Sequence, residues 1–133
     1  MKVQLDENLP PALARALNAL VAVDDYEVVH AGDYARGAPD IELFRRAIES
    51  GVRVHITADH HHRRPAEREE IAKLGLTVFV LASGWDTMGH YEKAARLIEY
   101  WPKIMTMVEI VAPGSIFRVP HGRNRPLEPI KRR

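Results

Sequence analysis

The stretch VRVHITADHHHRRPAEREEIAKLGLTVFVL, residues 52–81, predicts a strand, a helix and a second strand in direct succession. The run VRVHIT at its start indicates a strand that ends at Asp59. Pro65 is tolerated in a first helical turn, where acidic residues also face the helix dipole favourably, and Gly75 closes the helix. The nearly continuous apolar run Leu76–Leu81 is typical of a strand buried on both faces. This unit therefore predicts a parallel sheet covered by helices.

The same alternation of strands and helices extends in both directions along the chain. It predicts an α/β fold of three layers, α/β/α, around a mostly parallel central sheet, and the strand order stays open. The longest predicted helix, His90–Val108, contains Trp101-Pro102, where a kink is expected. The other predicted elements are strands at residues 2–5, 26–30 and 116–119 and two helices with apolar faces at helical spacing, Leu13, Ala14, Leu17, Leu20 and Val21 in one and Ile41, Phe44, Ala47 and Ile48 in the other.

The composition limits the class of protein. With 133 residues, of which 46% are hydrophobic and 28% charged, the chain fits one domain with a hydrophobic core. It contains no cysteine, which excludes disulfides and thiolate metal sites. The sequence has no apolar run of the roughly 18 residues that a membrane span needs, and its start lacks the apolar stretch of a signal peptide. We therefore expect a cytoplasmic protein that does not contact a membrane.

Charge is distributed unevenly along the chain. Residues 118–133 carry six Lys or Arg against one Glu, a local charge of +5, so residues 1–117 carry −4 of the net +1. This asymmetry divides the chain into a predicted domain at residues 1–120 and a basic C-terminal tail at residues 121–133. A basic tail beside an acidic body attracts phosphates, and a merely solvated terminus is the alternative interpretation.

Aspartates lie where the predicted parallel strands end. Asp6 directly follows the first strand, Asp59 follows the third, and Asp40 starts the helix after the second. Because ligands of parallel α/β sheets bind beyond these carboxyl ends, we expect the three side chains to converge as a catalytic and metal-binding site. Mutual repulsion of carboxylates is relieved by a divalent cation, and Mg²⁺ or Mn²⁺ prefers such hard oxygen ligands. The alternative is that Asp40 only caps its helix and that Asp6 only caps a turn through Asn8.

Three segments also carry a family resemblance. They are VQLDENLPPALARAL at residues 3–17, GAPDIELFRRA at residues 37–47, and ITADHHHRRPAEREEI at residues 56–71, which GLTVFVL follows. Over about residues 2–82 the chain resembles PIN-like domains, among them the toxin ribonucleases of toxin–antitoxin pairs. The resemblance implies the three-layer α/β/α fold and divalent-metal-dependent cleavage of RNA. By position, Asp6, Asp40 and Asp59 match the acidic metal-site residues of that family.

The chain departs from the family pattern at one acidic position. Many relatives carry a second acid two residues after the one that matches Asp59, where this chain has His61. Glu67, early in the following helix, is the candidate fourth metal ligand, and Glu7 and Glu42 stay open as alternatives. Without a fourth acid, a single-metal site or a weakened catalyst is expected.

Basic residues follow the predicted site directly. Arg63 and Arg64 are candidate RNA-binding residues because arginine holds phosphates with two hydrogen bonds, and His61 is a third candidate. The run His60-His61-His62 is otherwise typical of a solvated loop, and no HExxH spacing supports a zinc hydrolase.

Three classes of function remain open. The first is an endoribonuclease whose partners are RNA and an antitoxin protein, with its oligomeric state open. The second is a catalytically impaired PIN-like module that holds RNA or a protein partner without cutting. The third is a phosphoryl-transfer receiver domain, which would need a lysine after the last strand, where the chain has Arg118-Val119.

Overall fold

Six strands form one sheet over the part of the chain that the structure, a computed structural model, describes, residues 1–59 and 64–130. They are β1 Lys2–Leu5, β2 Glu27–His30, β3 Val52–Thr57, β4 Thr77–Leu81, β5 Ile116–Val119 and β6 Glu128–Ile130. Their order across the sheet is β2-β1-β3-β4-β5-β6, in which the first five run parallel and β6 runs antiparallel to β5. The predicted mostly parallel sheet is confirmed.

Helices cover both faces of this sheet. They are α1 Pro11–Val21, α2 Asp40–Glu49, α3 Pro65–Leu74 and α4 His90–Ile110. One apolar cluster joins α1 and α4 to the sheet through residues such as Leu17, Ile56 and Trp101. A second cluster, with Phe44 and Ile71, packs α2 and α3 against the opposite face. The fold is therefore the predicted three-layer α/β/α arrangement.

Proline and glycine set several helix ends. α1 and α3 begin at Pro11 and Pro65, where the missing N–H removes no helical hydrogen bond. α3 ends at Gly75, whose φ of +72° lies in the left-handed region that glycine adopts without strain. The predicted inward face of α1 is wrong at Leu20, which is 52% exposed because it lies at the margin of the buried stripe. In α2, Leu43 is buried, whereas the predicted inward residues at 41 and 48 are partly exposed.

The longest helix passes through its internal proline. α4 is one α-helix from His90 to Ile110, so Pro102 does not interrupt it. Its neighbours Trp101, Ile104 and Met105 are buried in the core, and this packing holds the helix together where the proline removes a backbone hydrogen bond. Within residues 1–59 and 64–130, no helix is both long enough and apolar enough to cross a membrane.

The basic segment after β5 lies against the body of the domain as far as it is described. Leu127 is buried in the same cluster as α1 and α4, and β6 pairs with β5. Side chains of α4 hold the connection between them: Lys103 donates to the Arg125 carbonyl at 3.1 Å, and the Arg125 N–H donates to the Tyr100 hydroxyl at 3.0 Å. Residues 121–130 are therefore folded onto α4 and the sheet edge, and residues 131–133 lie outside the described chain.

Candidate active site

The order in which strands are added to the sheet reverses its direction next to β1. From β1 the chain crosses to β2 on one side, whereas β3, β4 and β5 follow on the other side. Parallel sheets bind their ligands at this topological switch point, outside the carboxyl ends of the strands. Asp6 directly follows β1, and Asp59 lies two residues beyond β3. The two acids therefore occupy the position in the fold at which a ligand is expected.

Asp6 is held rigidly and is almost completely buried. The residue is 6% exposed, and its backbone N–H donates to the Ile56 carbonyl at 2.9 Å. One carboxylate oxygen, Oδ1, accepts the Glu7 N–H at 2.8 Å, and the other, Oδ2, accepts the Thr57 hydroxyl at 2.6 Å. Short bonds of this kind to a charged acceptor are the strong ones in proteins. The carboxylate of Asp6 thus has a fixed orientation at the end of β1.

Thr57 connects the loops that carry the two acids. Its hydroxyl oxygen accepts the Asp59 N–H at 2.9 Å and the Asn8 side-chain amide at 3.3 Å. The other end of the Asn8 side chain accepts the Ala58 N–H at 3.3 Å. Asn8 therefore joins the ends of β1 and β3, and it does not cap α1, whose cap position is Pro10.

Arg64 occupies the space between two further acids. Its guanidinium Nη1 lies 3.1 Å from Glu67 Oε1 and 3.5 Å from Asp40 Oδ2. Asp40 begins α2 and Glu67 lies in the first turn of α3, where it is only 7% exposed. The hydrogen bond and charge of Glu67, then the charge of Asp40 and more weakly that of Asp59, raise the pKa of Arg64. Arg64 thus contacts two acids from separate helices, Asp40 and Glu67.

The acids share one edge but do not surround a single point. Within residues 1–59 and 64–130, no three Asp, Glu or His side chains are close enough together to hold one metal ion. The expected convergence of Asp6, Asp40 and Asp59 on one cation is therefore not seen in the described residues. The guanidinium of Arg64 lies between Asp40 and Glu67 and compensates their charge.

The three candidates for a fourth acidic metal ligand make different contacts in the structure. Glu67 contacts Arg64 beside Asp40. Glu7 accepts the Gly37 N–H at 2.7 Å in an exposed loop. Glu42 pairs with Arg46 at 2.8 Å on the outer face of α2. Of these three, Glu67 is the one that lies among the acids of the switch point.

Only one of the three predicted RNA-binding residues falls within the described residues. His61 and Arg63 lie outside the described residues. Arg64 is described, with a side chain that is 71% exposed and engaged with the acids. Its described contacts are carboxylates, and RNA binding by Arg64 stays a prediction.

Sequence reasoning missed a set of buried polar side chains beneath Asp6. Gln4 and His55 are neighbours on β1 and β3, and their side chains are hydrogen-bonded at 2.9 Å. Tyr34 donates its hydroxyl proton to the Gln4 carbonyl oxygen, and His55 Nε2 lies 3.8 Å from Asp6 Oδ2. A signal was available, since the residues next to Gln4 and His55 in their strands are apolar: Val3, Leu5, Val54 and Ile56.

The family model of the PIN like domain matches residues 1–83. The chain belongs to the PIN-like domain family. The matched range runs from β1 through β4 and contains every acid described above, which confirms the resemblance recognised from the three segments. PIN-like domains are generally nucleases and typically use divalent metals. No curated protein and no solved structure matches the chain.

Membership of the PIN-like family also bears on the receiver-domain hypothesis. That hypothesis requires a lysine after the last parallel strand, and β5 is followed by Pro120-His121. The family match and the lack of a lysine directly after β5 together leave the receiver hypothesis without support.

Proposed function

We propose that this PIN-like domain is a divalent-metal-dependent endoribonuclease and serves as the toxin of a toxin–antitoxin pair. The observation that carries the proposal is the arrangement of Asp6, Asp59, Asp40 and Glu67 along one carboxyl edge at the switch point of the sheet. The antitoxin, as protein partner, and RNA, as substrate, extend the resemblance to toxin ribonucleases.

The donor set fits Mg²⁺ or Mn²⁺ chemically. All four side chains offer carboxylate oxygens, the hard ligands that these ions prefer. Asp40 and Glu67 would bind an ion only after Arg64 moves away, because the guanidinium lies against both of them. A bound ion would supply an activated water and neutralise charge on the phosphodiester.

Other residues of the site have separate roles in the proposed reaction. Thr57 and the Glu7 N–H hold Asp6 in one orientation, so its carboxylate needs no reorganisation when it becomes a ligand. Asp59 is exposed and follows Thr57 by two residues, which leaves its side chain accessible to substrate. Arg64, once released from the two acids, is close enough to bind a phosphate of the RNA backbone.

Cleavage of mixed RNAs by the purified protein tests the proposal. We expect degradation in Mg²⁺ or Mn²⁺, loss of degradation in EDTA and its recovery when metal is restored. Asp59→Asn should remain folded and lose cleavage, whereas the matched control Asp24→Asn, at an exposed turn after α1, should cut at the parent rate. If Asp59→Asn cut RNA as fast as the parent, a contaminating nuclease or another mechanism would be indicated.

A second candidate function has its own supporting observation. Arg64 neutralises Asp40 and Glu67, and His61 stands where many relatives have an acid. A site of this kind supports a PIN-like module that binds RNA or a protein and does not cut. Retained RNA binding by the parent, with no cleavage at any Mn²⁺ concentration, would favour this second function over the first.

A further inference from the structure

Two polar side chains lie in the interior of the sheet, directly below Asp6. Gln4 and His55 are both 0% exposed, and they face the side of the sheet that α2 and α3 cover. The ring of Phe44 from α2 contacts the His55 ring edge to face, with centroids 5.7 Å apart. Burying such groups is costly unless each polar atom finds a partner, so the hydrogen bonds around them determine their orientation.

In the chain of hydrogen bonds from Tyr34 through Gln4 to His55, each residue donates to the next. Burial raises the pKa of Tyr34 to about 12, so its hydroxyl keeps its proton and donates it to the carbonyl oxygen of Gln4. The amide nitrogen of Gln4 can only donate, and it faces His55 Nδ1 at 2.9 Å. Nδ1 must therefore accept, which leaves the proton of a neutral imidazole on Nε2.

The protonated nitrogen of His55 faces the site. Its Nε2 lies 3.8 Å from Asp6 Oδ2, the same oxygen that accepts the Thr57 hydroxyl. This separation exceeds a direct hydrogen bond, so the N–H acts on the carboxylate as an oriented dipole with its positive end toward the oxygen. Tyr34 lies 30 residues and His55 lies 51 residues from Gln4 in the sequence, so the fold brings the three side chains together.

We propose that His55 is a positioning residue for Asp6, and that Tyr34 and Gln4 select the tautomer with which it does so. The proposal rests on the proposed function, in which Asp6 binds a divalent cation. Outer residues of this kind orient metal ligands, and their loss typically weakens metal binding or activity by about 10- to 100-fold. The cation itself would contact Asp6, and His55 would act only through that carboxylate.

The tautomer can be tested without metal or RNA. Long-range ¹H–¹⁵N correlation spectra of protein labelled at histidine distinguish a ring nitrogen that carries a proton from one that does not. His30 supplies an internal standard, because its Nε2 lies 2.7 Å from the Leu9 carbonyl and its Nδ1 accepts the Gly32 N–H at 3.0 Å. We expect His55 to give the same Nε2–H pattern as His30. A proton on Nδ1 of His55 at neutral pH would overturn the proposal.

Two variants test the effect on Asp6. His55→Phe should bind Mn²⁺ about tenfold more weakly by titration calorimetry and should lower kcat for RNA without changing KM. Tyr34→Phe removes only a hydroxyl from a half-buried ring, so it carries the test if His55→Phe does not fold. Tyr34→Phe should let His55 populate both tautomers and should weaken Mn²⁺ binding by less than about tenfold. Tyr26→Phe, which packs against Trp101 on the opposite face of the sheet, is the matched control and should bind Mn²⁺ as the parent does.

The outcomes separate this proposal from the proposed function. If the parent binds no Mn²⁺ and cuts no RNA, the nuclease function fails, while the tautomer spectrum still tests the hydrogen-bond direction. If the parent binds Mn²⁺ and both variants bind it equally well, the positioning role of His55 is wrong and the nuclease function stands. If Tyr26→Phe weakens Mn²⁺ binding as much as Tyr34→Phe, the effect is a general loss of packing and the proposal also fails.

Discussion

Replacing Asp6 with asparagine perturbs the site at its most rigid member. The substitution keeps the shape of the side chain, removes its charge and exchanges one oxygen for an NH₂ group. In the parent the two oxygens accept the Glu7 N–H at 2.8 Å and the Thr57 hydroxyl at 2.6 Å. Whichever way the new amide turns, one of these two donors faces another donor. The Thr57 oxygen already accepts from Asp59 and Asn8, so it has no room for the new N–H.

The expected cost in EDTA follows from that lost bond. A hydrogen bond to a charged group contributes about 1.5–3 kcal/mol to stability. Removing the charge of Asp6 also relieves repulsion from Asp59, but that side chain is exposed, so the relief is at most about 1 kcal/mol. We therefore expect Asp6→Asn to lower the free energy of unfolding by about 1–2 kcal/mol. For a domain of this size the melting temperature then falls by roughly 4–8 °C.

Mn²⁺ should increase the difference between the two proteins. A site at 100 times its dissociation constant gains about 2.7 kcal/mol of stability, and the variant should gain little of it. The free energies of unfolding of parent and variant should then differ by about 4–5 kcal/mol. Thermal denaturation followed by circular dichroism, once in EDTA and once in Mn²⁺, measures both differences. Asp24→Asn, an exposed acid on the turn after α1, should match the parent in both conditions.

Two results would refute this reasoning separately. If Asp6→Asn melts at or above the parent in EDTA, repulsion among the acids outweighs the hydrogen bonds to Asp6. If Mn²⁺ raises the melting temperature of Asp6→Asn as much as that of the parent, Asp6 is not a ligand of the ion. The second result would contradict the proposed metal site even if the first part of the prediction holds.

Three further predictions concern Arg64, Tyr34 and two arginines of the C-terminal segment. Arg64→Met should bind Mn²⁺ more tightly in calorimetry, because no guanidinium has to leave the two acids; unchanged or weaker binding would contradict its position as a displaceable group. Tyr34 keeps its proton up to about pH 12, whereas an unfolded tyrosine loses it near 10, so the folded state binds more protons between these values. Stability that is present below pH 10 should therefore be lost toward pH 12, and urea denaturation should show a smaller loss for Tyr34→Phe. Replacing both Arg123 and Arg125 with Gln should reduce the magnitude of the slope of log affinity for RNA against log salt concentration by about 1.4, if each arginine contacts one phosphate. An unchanged slope would exclude both arginines as RNA contacts.

Much of the fold could be predicted because local patterns determine it. The strand Val52–Thr57 and the start of α3 at Pro65 agree with the structure at those residues, since a run of apolar and β-branched residues and a proline each act on their own neighbourhood. The strand Ile116–Val119 agrees in the same way. The edge on which Asp6 and Asp59 lie also followed from the sequence, because an acid directly after a parallel strand can only be at its carboxyl end.

The contacts inside the site could not be predicted, because they join residues far apart in the chain. Asn8 lies close to the start of α1 in the sequence, but its partners on β3 and the loop after it are 49 and 50 residues away. Arg64 meets Asp40 only because α2 and α3 pack side by side, and no local pattern encodes that meeting. Burial of His55 likewise depends on the order of the strands, which periodicity leaves open.

The C-terminal segment shows how composition alone misleads about packing. Its charges suggested a tail, yet one apolar residue, Leu127, enters the core, and β6 adds to the sheet beside β5. Pro129 is tolerated there because β6 is an edge strand, where a missing N–H breaks no ladder. Removing this segment would therefore remove part of the core and the sheet together with the positive charges, so point substitutions at Arg123 and Arg125 test RNA binding more directly.

The acids of the site fall into two sets that are held in different ways. Asp6 is fixed by a backbone N–H and by Thr57 at the ends of two central strands, so its position depends on the sheet itself. Asp40 and Glu67 begin two helices, and they are bridged by an arginine whose side chain is largely exposed. A cation that binds both sets must replace that arginine, and the displaced guanidinium is then released beside the same edge, where a phosphate would lie. Under the proposed function, metal binding and capture of the RNA backbone would therefore be coupled through Arg64: the residue that compensates the acids before the ion binds becomes available to the substrate after it binds.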